Sequence, residues 1–178
     1  MLLCAGWSSA ETYSSWKTYH AYYNTTEVAE GNTKVFAVAD GSLYIYGKDD
    51  KSVTFYSKEK GLSDNSISMM KYNTSTNSLL LFYSDGNIDL MDESNNITNL
   101  PYLKDNTNIQ DKTVNNVNIY GDYAYLSMNF GVLVVNMKKK EIADTYKLSR
   151  AVYSVCLDGS TIYAATATGI IHAATSSN

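Results

Sequence analysis

Short apolar and aromatic runs recur along the chain, separated by turns rich in Gly, Asn and Asp. Runs of this length bounded by such turns predict β-strands. They fall into groups of four. The first group predicts strands at Glu27–Glu30, Lys34–Ala39, Leu43–Tyr46 and Val53–Tyr56. The second predicts Ser66–Tyr72, Leu79–Tyr83, Ile88–Met91 and Asn96–Leu100, with Pro101 closing the last. Leu79–Tyr83 is apolar without a break, as a strand covered on both faces would be. The third group predicts Val114–Tyr120, Tyr123–Ser127, Val132–Met137 and Glu141–Tyr146. The fourth supplies Ala151–Leu157, Thr161–Thr166 and Ile170–Ala174, without a fourth strand. Residues 103–112 are polar and aperiodic, and predict a long connecting loop.

Within each group a glycine follows the second strand. Gly41, Gly86, Gly131 and Gly169 stand 45, 45 and 38 residues apart, the period of propeller blades and solenoids. Each is expected to supply the positive φ of a tight turn between the second and third strands. The fold class that follows is all-β: a β-propeller of four-stranded antiparallel blades. The blades are expected at about 27–57, 66–101, 114–147 and, incomplete, 151–178. About four blades are read here as part of a larger ring, since six to eight blades would need about 270–360 residues. The chain is therefore expected to continue past Asn178. Bare strand edges on an open arc lead us to expect the 178-residue chain to self-associate, which sedimentation velocity would test.

The N-terminal part is different. Residues 1–10, with the apolar run Leu2–Trp7 and the small residues Ser8-Ser9-Ala10, resemble the remnant of a signal peptide, so an exported protein is expected. The propeller domain would then occupy 11–178, with 16–23 (WKTYHAYY) as a possible ring-closing strand. No run is long enough to span a membrane as a helix.

Composition agrees with the pattern. Sixteen tyrosines among many Val, Ile, Thr and Ser suit half-buried strands. The net charge is −4 with both signs interspersed, so nucleic acid is not expected as a partner. Lys138-Lys139-Lys140 lies between two predicted strands and is read as a solvated turn. Two cysteines make no disulfide framework, and Cys156, inside the run Val152–Leu157, is expected to be a small core residue.

The search for chemistry finds no nucleophile elbow, phosphate loop or spaced metal-ligand set. His20 and His172 lie far apart in sequence. Asp85-Gly86-Asn87-Ile88-Asp89 has a faint calcium-loop look but lacks the terminal Glu. Asp40, at the equivalent position, is likewise read as a turn residue. Asn24, Asn73 and Asn96 open chance Asn-x-Ser/Thr sequons. No catalytic residue, cofactor or metal is expected. Tyr22, Tyr23 and Tyr72 are the candidate binding residues, because exposed tyrosines are common in protein and carbohydrate contacts.

Gly61-Leu62-Ser63-Asp64-Asn65-Ser66-Ile67 resembles the motif that opens blades in propellers of two-component regulators. Together with Trp16–Tyr19, Ala39–Tyr44, Tyr83–Leu90 and Phe130–Val134, it makes residues 16–174 similar to the N-terminal β-propeller of PorZ-type proteins of the type IX secretion system of Bacteroidetes. The resemblance implies a secreted, multidomain, cell-surface protein that works with the sortase and with anionic lipopolysaccharide. Its second propeller and C-terminal domain have no counterpart in these residues. The expected function is a non-enzymatic binding scaffold at the cell surface or outer membrane, with protein partners of the secretion and attachment complex and surface lipopolysaccharide. The alternative is an oligosaccharide-sensing periplasmic propeller of a hybrid two-component regulator. Clustered acids or a His/Tyr/Arg set would favour a propeller enzyme, and Arg150 is the sole arginine.

Overall fold

The structure is a computed structural model and describes residues 23–175. Its strands form antiparallel sheets in which chain order equals sheet order, the simplest up-and-down connection. The first sheet holds β1 (Thr25–Glu30), β2 (Lys34–Ala39), β3 (Ser42–Gly47) and β4 (Val53–Tyr56). The second holds β5 (Ile67–Asn73), β6 (Ser78–Tyr83), β7 (Ile88–Asp92) and β8 (Ile97–Leu100). The third holds β9 (Val114–Tyr120), β10 (Tyr123–Met128), β11 (Gly131–Asn136) and β12 (Glu141–Lys147). The fourth has three described strands, β13 (Val152–Asp158), β14 (Thr161–Thr166) and β15 (Gly169–Ala174). The all-β propeller architecture expected from the repeat is what the chain forms. Among the described residues the sheets are not closed into a ring.

The sheets are arranged as consecutive blades, with the first strands side by side: β1 against β5, β5 against β9, β9 against β13. Between the blades lie three apolar clusters, one per interface. β6 shows why its sequence is unbroken. Leu79, Leu81 and Tyr83 point into the cluster shared with Phe36, Val38, Leu43 and Ile45 of the first blade. The intervening Leu80 and Phe82 point the other way, towards Ala124, Leu126, Leu133 and Val135 of the third. A strand sandwiched between two sheets needs apolar residues at both phases of the two-residue period. All six residues of β6 are buried.

The first strands are polar for a different reason. Among the described residues their inner edges have no strand partner, and side chains from neighbouring strands cover them. Glu27 Oε2 accepts from Met70 N at 2.6 Å, and Asn115 Nδ2 donates to Val152 O at 2.8 Å. Asn116 Nδ2 reaches Ser154 Oγ at 3.2 Å. The Asn-rich β9 is thus an edge-capping strand.

Three expectations are corrected. Among the described residues Cys156 is exposed: a bulge between Val152 and Ser154 puts Val152, Val155 and Leu157 on the face of β13 that meets the third blade, and Cys156 falls on the other. The polar stretch 103–112 is partly helical: α1 (Tyr102–Asp105) buries Leu103, and Ile109 joins the same cluster. The four glycines all have positive φ, at 73°, 89°, 144° and 121° along the chain, but occupy different places. Asp40 and Gly41 form a two-residue turn with both φ positive, between the paired Ala39 and Ser42. Gly86 ends a three-residue turn, since Tyr83 N bonds Asn87 O at 3.0 Å. Gly131 and Gly169 are instead the first residues of β11 and β15, paired with Met128 and Thr166. The glycines recur at 45, 45 and 38 residues, but the turn register changes from blade to blade.

Candidate functional site

The turns β2–β3, β6–β7 and β10–β11, and the loops that enter β5 and β9, gather at one end of the blades. Backbone bonds tie them together: Ile67 N to Gly41 O at 3.2 Å, Ser84 N to Ser66 O at 3.1 Å, Asn129 N to Thr113 O at 3.2 Å. The segment Gly61–Ile67 is the organising piece. Gly61, with φ of 109°, ends the single 3₁₀ turn Lys58–Lys60 and releases the chain across the blade junction. Leu62 and Ile67 plug the cluster between the first two blades. Ser63 N donates to Asp89 Oδ2 at 2.8 Å, and Ser66 O accepts from both N and Oγ of Ser84.

Asp64 is the electrostatic centre. Its carboxylate accepts from Lys104 in α1, from Lys58 Nζ at 3.3 Å and from Asn87 Nδ2 at 3.4 Å. Lys104 Nζ also reaches Asp85 Oδ2 at 2.8 Å, so one ammonium bridges the blade-entry loop and the β6–β7 turn. The Lys104 hydrogen bond holds the Asp64 carboxyl well below the usual carboxylate range, against its partial burial. The same two carboxylates, Asp64 first, raise the Lys104 ammonium.

A carboxyl whose folded pKa is depressed stabilises the fold above its unfolded value near 4, and that contribution is lost as the pH falls. Asp64→Asn is therefore expected to cost about 1–2 kcal/mol at neutral pH, discounted because Lys104 is partly solvated, and to flatten the acid limb of stability. Thermal midpoints recorded from pH 6 to about pH 2 check this. An unchanged acid slope would exclude the role assigned to Asp64.

Beneath it lies Asp89, which is fully buried. It accepts from Tyr83 Oη at 2.7 Å, Ser63 N at 2.8 Å and Asn99 Nδ2 at 2.9 Å. Burial and then the Asp89 hydrogen bond push the Tyr83 phenol far above its ordinary value. Asp85 and Asp89 thus face different partners, and the Asp85–Asp89 segment is not arranged as a calcium loop. Among the described residues no group of three His, Cys, Asp or Glu side chains is placed to hold a metal.

The next blade junction repeats this construction. Asn108–Val114 follows Gly61–Ile67 by 47 residues, with Ile109 where Leu62 stands and Asp111 where Asp64 stands. Asp111 accepts from Asn129 Nδ2 at 2.8 Å and Thr113 N at 3.0 Å, and these bonds, Asn129 first, lower its carboxyl pKa. Sequence reading missed this copy. Its signal was the apolar-x-Asp-x-Ser/Thr spacing, diluted by replacement of Gly61 and Ser63 with Asn108 and Gln110.

The loop 107–113 divides two open grooves. One, about 760 Å³, is lined by Ser84, Asp85, Thr107, Gln110 and Lys112. The other, about 310 Å³, is lined by Asn129, Phe130, Lys147 and Ser149. Hydroxyls, amides and both charges edge an open surface that can exchange hydrogen bonds with a partner.

Of the tyrosines proposed from sequence, Tyr23 and Tyr72 are not brought together. Tyr22 lies outside the described residues, as do residues 1–10, His20 and all of the strand proposed at 16–23 except Tyr23. Tyr23 is 80% exposed, just ahead of β1. Tyr72 sits near the far end of β5, its ring stacked on Phe36 at 5.7 Å and its hydroxyl bonded to Glu93 Oε1 at 2.9 Å, so it belongs to a blade interface. Of the sequon residues, Asn73 is buried and ties the second blade to Gly121 O at 2.9 Å, and Asn96 Nδ2 donates to Asp92. His172 lies beside Tyr163 at 5.7 Å between ring centres.

Residues 35–178 match the family described as the type IX secretion system PorZ N-terminal β-propeller domain. No curated protein matches the chain. Among solved structures, PorZ of Porphyromonas gingivalis, described as an essential bacterial surface component of the type IX secretion system, is 34% identical with a TM-score of 0.82. That match covers 92% of this chain and 22% of the PorZ chain, so the described propeller corresponds to under a quarter of that protein. The extracellular domain of a one-component system of B. thetaiotaomicron is similar in fold, at 15% identity and a TM-score of 0.66, over 92% of this chain and 23% of its own. AztD of Citrobacter koseri shares the fold at 14% identity and a TM-score of 0.57, over 85% of this chain and 44% of its own.

Proposed function

The chain belongs to the family of PorZ N-terminal β-propeller domains, and from that premise we propose that it is a non-catalytic binding module of an exported surface component of a type IX secretion system. The observation that carries this reading is the family match over residues 35–178, together with the likeness to a surface component of that system. The partners proposed are proteins of the secretion and attachment complex, the sortase among them, and surface lipopolysaccharide. Among the described residues no helix is long and apolar enough to cross a membrane.

The loop end of the blades is the proposed contact surface. Its carboxylates support binding over catalysis: Asp64 and Asp85 share Lys104, Asp89 is sealed under Tyr83, and Asp111 holds Asn129. A general acid or base needs a carboxyl open to substrate with a poised pKa, whereas those of Asp64 and Asp111 are lowered.

The test is a binding assay on the secreted sortase complex and on vesicles carrying anionic lipopolysaccharide. Thr107→Glu/Gln110→Glu places two carboxylates in the larger groove, at exposed residues, where they repel an anionic ligand and remove the Gln110 amide donor. Lys138→Ala, with a side chain 73% exposed beyond β11, is the control at the other end. The double variant is expected to lose binding about tenfold, equivalent to about 1.4 kcal/mol, with an unchanged melting temperature, and the control to bind normally. Equal effects of both would exclude the loop end as the contact surface. Absence of binding by the unmodified chain to either target would exclude the function, and binding only to soluble oligosaccharide would replace it with sensing.

A further inference from the structure

We draw no further inference here: the strongest candidate, the outward face of the fourth sheet on which Cys156, Tyr163, Ile170 and His172 stand exposed or half-buried, is an unpartnered sheet face, and nothing in the structure shows what covers it.

Discussion

Gly131→Ala is expected to destabilise the chain by about 3 kcal/mol or more, the largest effect expected of alanine at any glycine among the described residues. Gly131 opens β11 with φ of 144°, a conformation that L side chains rarely adopt. A Cβ there would lie 1.9 Å from Tyr146 O and 3.0 Å from Leu148 N. Both obstacles are backbone and neither can swing aside. Gly131 pairs with Lys147 of β12, and Leu148 N is bonded to Phe130 O at 2.9 Å. Relief would require parting β11 from β12 at the loop end. Gly169→Ala is the matched comparison: it also opens a third strand, with φ of 121°, but nothing among the described residues lies within 4 Å of its Cβ position. Its cost should be confined to backbone strain, about 1 kcal/mol. In thermal unfolding Gly131→Ala should lower the midpoint by about 10 °C and Gly169→Ala by about a third of that. Equal shifts would show that φ alone, and not the approach of β12, requires glycine at position 131.

Asp89→Ala should be comparably damaging, at about 2–4 kcal/mol, because it leaves the buried Tyr83 hydroxyl without an acceptor and unties Ser63 N from the second blade, while Asn99 Nδ2 keeps Asn87 Oδ1 and Ile88 O. Tyr83 Oη, Asn99 Nδ2 and Ser63 N all converge on this carboxylate. Tyr83→Phe removes one donor and leaves the other two satisfied, at about 1 kcal/mol. Combining the two should cost less than their sum, since the orphaned hydroxyl disappears with the phenol. Denaturant unfolding of the three variants measures that coupling. Strict additivity would mean that Tyr83 and Asp89 do not act as a unit, and a loss under about 1 kcal/mol for Asp89→Ala would mean that water replaces the carboxylate. The bond from Ser63 also predicts where damage spreads. Without Asp89 the loop 61–67 loses an anchor on the second blade, so amide exchange should rise there before it rises in β6.

The two variants probe different kinds of information in the chain. The backbone clash at Gly131 involves Tyr146, fifteen residues away in sequence but paired across a hairpin. Glycine spacing marked the repeat and placed a special residue near position 131, without showing that it sits inside β11 and not in the turn. Turn length differs by one residue between blades, and glycine is tolerated at several places around a hairpin for different steric reasons. The Asp89 cluster was less visible still. Asp89 occupies an alternating strand position that reads as solvent-facing, and its partners Ser63 and Asn99 come from the preceding loop and the next strand.

What the sequence by itself determined is the local pattern and its repetition. Every described strand was foreseen to within a few residues, because alternation, β-branched and aromatic content, and Gly/Asn/Asp turns are short-range physics. Leu79–Tyr83 even announced its double burial, since only a strand between two sheets needs apolar residues at both phases. The motif Gly61–Ile67 carries the likeness to regulator propellers, and only together with Trp16–Tyr19, Ala39–Tyr44, Tyr83–Leu90 and Phe130–Val134 does it carry the likeness to the family matched over residues 35–178. Tertiary structure alone decided which side chains meet across blades. Among the described residues it leaves Cys156 on the face of β13 turned away from the third blade, and it buried Leu103 and Ile109 out of a polar loop. It also turned the opening motif from a label into a stitch: Lys104, forty residues beyond Asp64, closes the ion pair that holds the loop end together. Such contacts depend on how consecutive sheets stack, and no local periodicity encodes the separation in sequence at which two polar side chains will be brought within hydrogen-bonding distance.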